Sequence, residues 1–398
     1  MTSDKKARRS PPHQRIPLLD RDHSILAFNE RVLDWAHRPD VPLMERLRYM
    51  CIVSSNLDEF FEVRMAAHLQ AHDKGVRKGL ASMQTFDALA QAAHTLVDRQ
   101  YSLYNDALIP AFALEGIEII GHGDRTPAQA KWVRAYFERE VRPLLIPVGL
   151  DPAHPFPQVA NKTLNFIVRL GGKDAFGRAN DIAIVKVPRV LPRLIRMPSK
   201  VAGGKVALVS LSSVIRSHLH RLFPGRQVGQ FSQFRVTRHS DLAVDEADVR
   251  NLRTAMRLGL QQRHYGQAVR LEVASGCSDY LAGFLMRQFS LPAQSVYRVH
   301  GPVNLVRLQQ LIDLVDAPHL LFAPYTPASG NDLPRSGSVF ARLRTGDIVL
   351  HHPYESFALV VAFLREAVHD PDVLAIKQTI YRTGPDTELL DLLCEAVR

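Results

Sequence analysis

Between Ser54 and Arg64 the chain reads SSNLDEFFEVR. An amide, Asn56, and two carboxylates, Asp58 and Glu59, follow five residues with apolar bodies, Tyr49 to Val53. An Asn side chain offers a donor beside an acceptor, and a carboxylate accepts hydrogen bonds or pairs with cations. On a helix that buries one face, such residues need either solvent or a specific partner. Asp58 and Glu59 are expected to form ion pairs with basic residues of another domain.

Two stretches near the C-terminus raise the same question. DVLAIKQTIYRTGPD, residues 372–386, has a buried-strand pattern that ends at Arg382 before a Gly-Pro turn. An arginine there can hold phosphate through its planar fork of donors. The bland alternative is a surface arginine on a loop, and the residues alone favour it. HHPYESF, residues 351–357, follows the strand-like GDIVL. Adjacent side chains on a strand point to opposite faces, so His351 and His352 do not readily share one metal ion. A structural turn competes with a ligand position just past a strand end, and the turn is preferred. His154, flanked by prolines, reads as a locally satisfied loop histidine.

Several chemistries lack a signature. The GGK turns at 171–173 and 203–205 do not complete a Walker loop, and GxSxG, HExxH and protein-kinase motifs are missing. Three cysteines, Cys51, Cys277 and Cys394, are far apart and sit among apolar neighbours. They suggest buried hydrophobes rather than a zinc site or disulfides, and a reducing, cytoplasmic setting. No run reaches the ~18 apolar residues of a membrane span. The N-terminus has no apolar run that would make a signal peptide.

The 398 residues carry a net charge of +10, which favours anionic partners. Sequence-specific nucleic acid recognition has only this charge behind it. Residues 1–16, with KKARR and PPHQR, are expected to be a disordered basic tail.

Elements must position these groups. From Ile25 to about Tyr104 the pattern is helical. Ala27, Phe28, Val32, Leu33 and Trp35 form one apolar set, and Pro42 opens a second helix bearing Met44, Leu47, Met50 and Cys51. A third, from about Met83, turns Phe86, Leu89, Ala90, Ala93, Leu96 and Val97 inward. A helix at 127–140 follows, then RPLLIPVGLDPAHPFP, whose prolines are expected to exclude regular structure. Strands are predicted at 163–170, 181–187, 206–211, 230–237 and 268–273, with helices at 213–222, 246–262, 280–288 and 303–315. The basic residues of FRVTRHSDLAVDE and RHYGQAVRLEV are taken as a solvated strand face, with a basic surface path as the minority reading. After a proline-containing stretch at 322–334, strands at 347–350 and 373–381 alternate with helices at 354–368 and 387–397. Two strands alone make a poor sheet, so this unit reads as the start of a larger domain.

Taken in order from about Leu19, the pieces LDRDHSILAFNERVLDWA, SSNLDEFFEVRMA, DPAHPFP with NKTLNF, VKVPRVLPR, FRVTRHSDL, AVRLEV, DIVLHHPYESF and DVLAIKQTIYRT resemble the polyphosphate kinase family with a catalytic histidine. The resemblance implies a multidomain α and α+β protein. Its parts would be a helical domain at 17–122, an α/β head domain at 123–322 linked to dimerisation, and the incomplete start of a phospholipase D-like domain at 323–398. It implies reversible transfer of the terminal phosphoryl of ATP to polyphosphate, with Mg²⁺, through a phosphohistidine. Asn56 matches an ATP-contacting asparagine, whose amide suits the N6/N7 edge of adenine. Arg382 matches a magnesium-associated arginine, which would act through phosphate oxygens because guanidinium has no lone pair for a metal.

The family's HAK-type motif does not occur, and His351, His352 and His369 do not fit it. The phosphorylated histidine is therefore expected beyond Arg398, and this chain is expected to be inactive alone. Expected partners are ATP or ADP, polyphosphate and a second copy of the chain; peripheral membrane association stays open. The rival readings are a non-catalytic, dimerising polyanion-binding module and a phospholipase D-like hydrolase.

Overall fold

The computed structural model describes residues 19–150, 155–173, 181–240, 266–328, 337–380 and 388–398. The predicted tail at 1–16, the helix at 246–262 and His154 lie outside the described residues. The chain divides into two compact units at 322/323.

The first unit opens with α1 (Arg21–His37), capped by Asp20, which accepts from the His23 backbone N–H. Its buried row is Leu26, Asn29, Leu33 and Ala36. Phe28 and Trp35, expected inward, are 51% and 43% exposed. Trp35 stacks on Tyr49 at the helix surface and carries the Arg38 guanidinium over its ring at 4.3 Å. The hydrophobic row is thus shifted one position, and an amide takes one of its places.

Helix α2 (Leu43–Phe60) starts directly after Pro42 and buries Met44, Leu47, Met50 and Cys51. It runs without a break through a π-helical turn, Phe61–Met65, into α3 (Ala66–Asp73). Such a turn inserts extra backbone and re-aims the side chains beyond it. Helix α4 (Met83–Ser102), capped by Ser82, buries the six residues its periodicity predicts. A second π-turn, Leu103–Leu108, leads to α5 (Ile109–Leu114) and the short strand β1 (Ile117–Ile119).

Two sheets follow. The smaller has the order β1-β6-β5, with β6 (Val206–Ser210) parallel to β1 and antiparallel to β5 (Leu194–Arg196). The N-terminal part therefore contributes a strand across the 122/123 junction. Helices α6 (Pro127–Tyr136), α7 (Ser199–Ala202) and α8 (Leu211–His218) belong to the same region. The larger sheet has the order β2-β4-β3-β7-β8-β9. Its strands are β2 (Ile146–Gly149), β3 (Asn165–Gly171), β4 (Ile182–Lys186), β7 (Gln227–Arg238), β8 (Ala268–Ala274) and β9 (Val296–Val299). Within this larger sheet, among the described residues, only β8 and β9 pair in parallel, joined through α9 (Asp279–Phe289).

The prolines after 142 do not exclude structure: Pro147 sits in β2, at the sheet edge. An edge strand needs ladder bonds on one side only, so a missing N–H is tolerated there. The helix predicted at 303–315 is instead a 3₁₀ turn, Leu305–Gln309, followed by α10 (Gln310–Leu314).

The second unit contains α11 (Val339–Leu343), α12 (Ala358–His369) and α13 (Glu388–Val397). Among the described residues neither predicted strand forms there; Val349 is 87% and Leu374 96% exposed. A buried-strand pattern needs ladder partners and a covering layer, and the described residues supply one isolated bridge, Ala328 to Glu355. Cys51 and Cys277 are buried as expected, whereas Cys394 is exposed. Among the described residues no helix is long and apolar enough to cross a membrane. The architecture is multidomain α and α+β, as the resemblance implied.

Candidate functional site

At 3.6 residues per turn, residues 56 and 58 of α2 lie on opposite sides of the helix. The polar stretch therefore serves two surroundings. Asn56 is half-buried at the surface, and its Nδ2 donates to Asn29 Oδ1 of α1 at 2.8 Å. Asn29 is 1% exposed, and its own Nδ2 is buried without a partner. Asn56 makes no other side-chain hydrogen bond among the described residues. Its Oδ1 and its second N–H remain as an adjacent acceptor and donor. The buried neighbour fixes the amide plane, so this polar edge is held in place before any ligand arrives.

Asp58 faces the sheet. Its carboxylate takes two parallel bonds from Arg235 of β7, Nη1 and Nη2 at 2.9 Å each. Arg270 of β8 donates to the same Oδ1 through Nη2, and to Thr237 Oγ1 through Nε and Nη2 at 3.2 and 3.0 Å. Glu272 pairs with Arg235 through Nε and lies 3.2 Å from Arg270 Nη2. Register explains the grouping, because Arg235 is directly opposite Glu272 and Thr237 opposite Arg270. Two guanidiniums and two carboxylates make a neutral quartet, and none of the four residues is more than 6% exposed.

Burial alone would raise the Asp58 carboxyl; Arg235 and Arg270 outweigh it and hold it below its ordinary value. Burial likewise opposes the Arg235 charge, yet Asp58 and Glu272 raise this group above the usual arginine range. The solvated strand face expected for these basic residues is thus corrected: α2 and the π-turn cover it. One cue was legible, namely opposite charges at Arg270 and Glu272 on one face of a strand, complementary to an acid on a helix.

Further contacts fasten this layer. Glu62, in the π-turn, accepts from Asn161 Nδ2 at 2.5 Å and Lys162 Nζ at 2.9 Å. Asp22 of α1 accepts from Arg64 Nε and contacts His68 Nε2, both at 2.9 Å. The ion-pair expectation is met for Asp58. Glu59 does not meet it: it is exposed and makes no ion pair among the described residues.

The other expected residues fall elsewhere. Arg382 lies outside the described residues. His351 and His352 form a turn: the His351 N–H donates to Glu355 Oε2 at 2.7 Å, and His352 Nδ1 lies 2.9 Å from the Glu355 carbonyl oxygen. His369 Nδ1 lies 2.7 Å from the Arg365 carbonyl oxygen.

Residues 18–120 match the polyphosphate kinase N-terminal domain, residues 128–311 the polyphosphate kinase middle domain, and residues 338–398 the polyphosphate kinase C-terminal domain 1. The chain is 49% identical over 390 residues to a polyphosphate kinase of Neisseria meningitidis serogroup B, covering 97% of this chain and 57% of that protein. It is 48% identical over 388 residues to that of Burkholderia vietnamiensis, covering 96% and 56%. The crystal structure of polyphosphate kinase from Porphyromonas gingivalis superposes with a TM-score of 0.77 at 25% identity, covering 96% of this chain and 54% of that one. The chain belongs to the polyphosphate kinase family, and it spans a little over half the length of the curated relatives it matches.

Proposed function

We propose that this chain forms the nucleotide-recognising part of a polyphosphate kinase, in which the terminal phosphoryl of ATP passes reversibly to polyphosphate. The observation that carries the reading is the amide edge of Asn56, fixed by buried Asn29 and open towards solvent. Adenine N6 donates and N7 accepts, so it fits an adjacent acceptor and donor. The quartet around Asp58 holds α2 against β7 and β8 and so sets where that edge stands.

The phosphoryl carrier in this reading is a histidine, whose neutral imidazole is a nucleophile near pH 7. His351, His352 and His369 are engaged in local turns and a helix, and none is assigned that role. The described residues bring together no set of three His, Cys, Asp or Glu side chains that could hold a metal ion. Mg²⁺ would instead come bound to phosphate oxygens, with Arg382 holding those oxygens rather than the metal. The same reading includes a homo-oligomer through the middle domain and a cytoplasmic setting; analytical ultracentrifugation of the chain checks the former.

Asn56→Ala should weaken ATP binding by about 1–2 kcal/mol, roughly 5- to 30-fold in Kd, since one hydrogen-bonding group is lost. Calorimetric titration reads this directly. An unchanged Kd in a variant with the parental unfolding midpoint would refute the assignment. Incubated alone with γ-labelled ATP and Mg²⁺, the chain should acquire no acid-labile, base-stable label.

A further inference from the structure

An open cavity of about 620 Å³ lies where both sheets of the first unit end, walled by β7, the start of α8 and the loops after β1 and β8. A second hollow, of about 40 Å³, adjoins it and shares the walls Leu194, Ser210, Ser212, Gln233, Pro302 and Leu308. Neither is lined by any carboxylate among the described residues. Arg216 and His122 line the larger, and Arg193 and Arg307 the smaller. Arg125 stands behind the wall and donates to Ser217 and Ser213 at 2.7 and 2.6 Å.

None of these four arginines has a carboxylate partner among the described residues. Arg216 and Arg307 are exposed, so the contrast with Arg235 and Arg270, where each buried guanidinium is matched by an acid, applies to the two others. Arg193 is the most telling: its Nη1 is buried with no hydrogen-bond partner, as is Asn304 Oδ1 in the same hollow. Burial, and then the charges of Arg307 and Arg189, push Arg193 down to about 10, so it stays cationic at neutral pH. A trapped water would satisfy hydrogen bonds in this hollow but would leave the charge uncompensated. An anion does both. Helix α8 also begins here, with Ser210 as its cap and Ser212 and Ser213 in the wall, so its positive end faces the cavity.

We propose that this double hollow binds the phosphate oxygens of an inorganic oligophosphate, held by Arg193 and Arg307 at one end and Arg216 at the other. Several cations spread over adjoining hollows suit a ligand with repeating anionic groups. The anion site stands on geometry; choosing an inorganic chain over a nucleotide rests on the function proposed above. It is a holding site separate from the Asn56 edge, since the two share no residue.

The test uses the whole 398-residue chain, titrated separately with tripolyphosphate and with ATP. Arg193→Gln/Arg307→Gln should weaken tripolyphosphate binding by about tenfold or more, as expected when charge-assisted bonds are lost. It should reduce the salt dependence of binding and leave ATP affinity at the parental value. Its unliganded unfolding midpoint should not fall, because Arg307 is exposed and the part-buried Arg193 charge that is removed has no acid partner among the described residues. Arg216→Gln, at an exposed position, gives a second reading that does not depend on the fold surviving the double change. Unaltered tripolyphosphate affinity in both variants overturns the proposal. Loss of ATP together with tripolyphosphate in the arginine variants, with Asn56→Ala losing neither, assigns the cleft to nucleotide phosphates and overturns the chain assignment. If Asn56→Ala leaves ATP binding intact while the arginine variants lose tripolyphosphate, the adenine reading fails and the cleft stands.

Discussion

Asp58→Ala should destabilise the first unit by about 3–5 kcal/mol, the cost of leaving a buried charge without its partner. The variant keeps Arg235 and Arg270 in place, 2% and 1% exposed, with Glu272 as their sole remaining acid among the described residues. Water cannot reach them without opening the layer between α2 and β8. The loss therefore measures an uncompensated charge, not the net worth of the ion pair. A double change separates the two. Asp58→Leu/Arg235→Met leaves Arg270 and Glu272 balanced, so it should be less destabilised than the sum of the single changes by about 2 kcal/mol or more. Urea unfolding of the four proteins gives this coupling, and simple additivity would contradict the closed quartet.

The same carboxylate predicts a pH effect. Its folded pKa is depressed, so it contributes stability above the unfolded carboxyl value of about 3.9. That contribution is lost as pH falls through the folded value. Asp58→Asn, which has no proton to take up, should show less acid sensitivity below about pH 4 than the parent. Parallel acid profiles for the two proteins would argue against this titration.

Phe61→Ala should cost about 3–5 kcal/mol, through lost burial and the cavity it leaves. Phe61 opens the π-turn and is 1% exposed. Its ring meets Phe60 and Tyr297 edge-on, with centroids 5.6 and 5.5 Å away, and the Arg270 guanidinium lies 4.4 Å over it. Removing the ring thus strips apolar packing and one face of the quartet's solvation together. Phe61→Leu restores most of the volume but not the π face. It should recover most of the loss and keep a residual deficit of about 1 kcal/mol. Full recovery by leucine would show that the ring acts by volume alone.

The residues around these two positions separate what local pattern reveals from what packing imposes. The inward row of α4 follows from its spacing, because a 3.6-residue period leaves one apolar stripe. Asn29 was harder to read. It stands in the row 26, 29, 33, 36, where spacing alone marks it as internal, but an amide beside Phe28 argues for the surface. Strands β1, β5 and β9 are three or four residues long, too short for an alternation to stand out, and they exist through pairing with distant partners. The converse holds at 373–380, where the local pattern is that of a strand and the described residues offer no ladder partner.

The sequence by itself determined the family, the helical layer and its inward rows, and the presence of a polar anomaly at 56–59. Those features depend on ordered motifs and on periodicity within a single element. Tertiary structure alone decided which face of β7 and β8 is covered, and hence that Asp58 meets Arg235 and Arg270, 177 and 212 residues away. The physical reason is that a strand sends successive side chains to opposite faces, and either face can be the wet one until a second layer is laid upon it. Here the layer is α2, and its other side leaves Asn56 facing outwards.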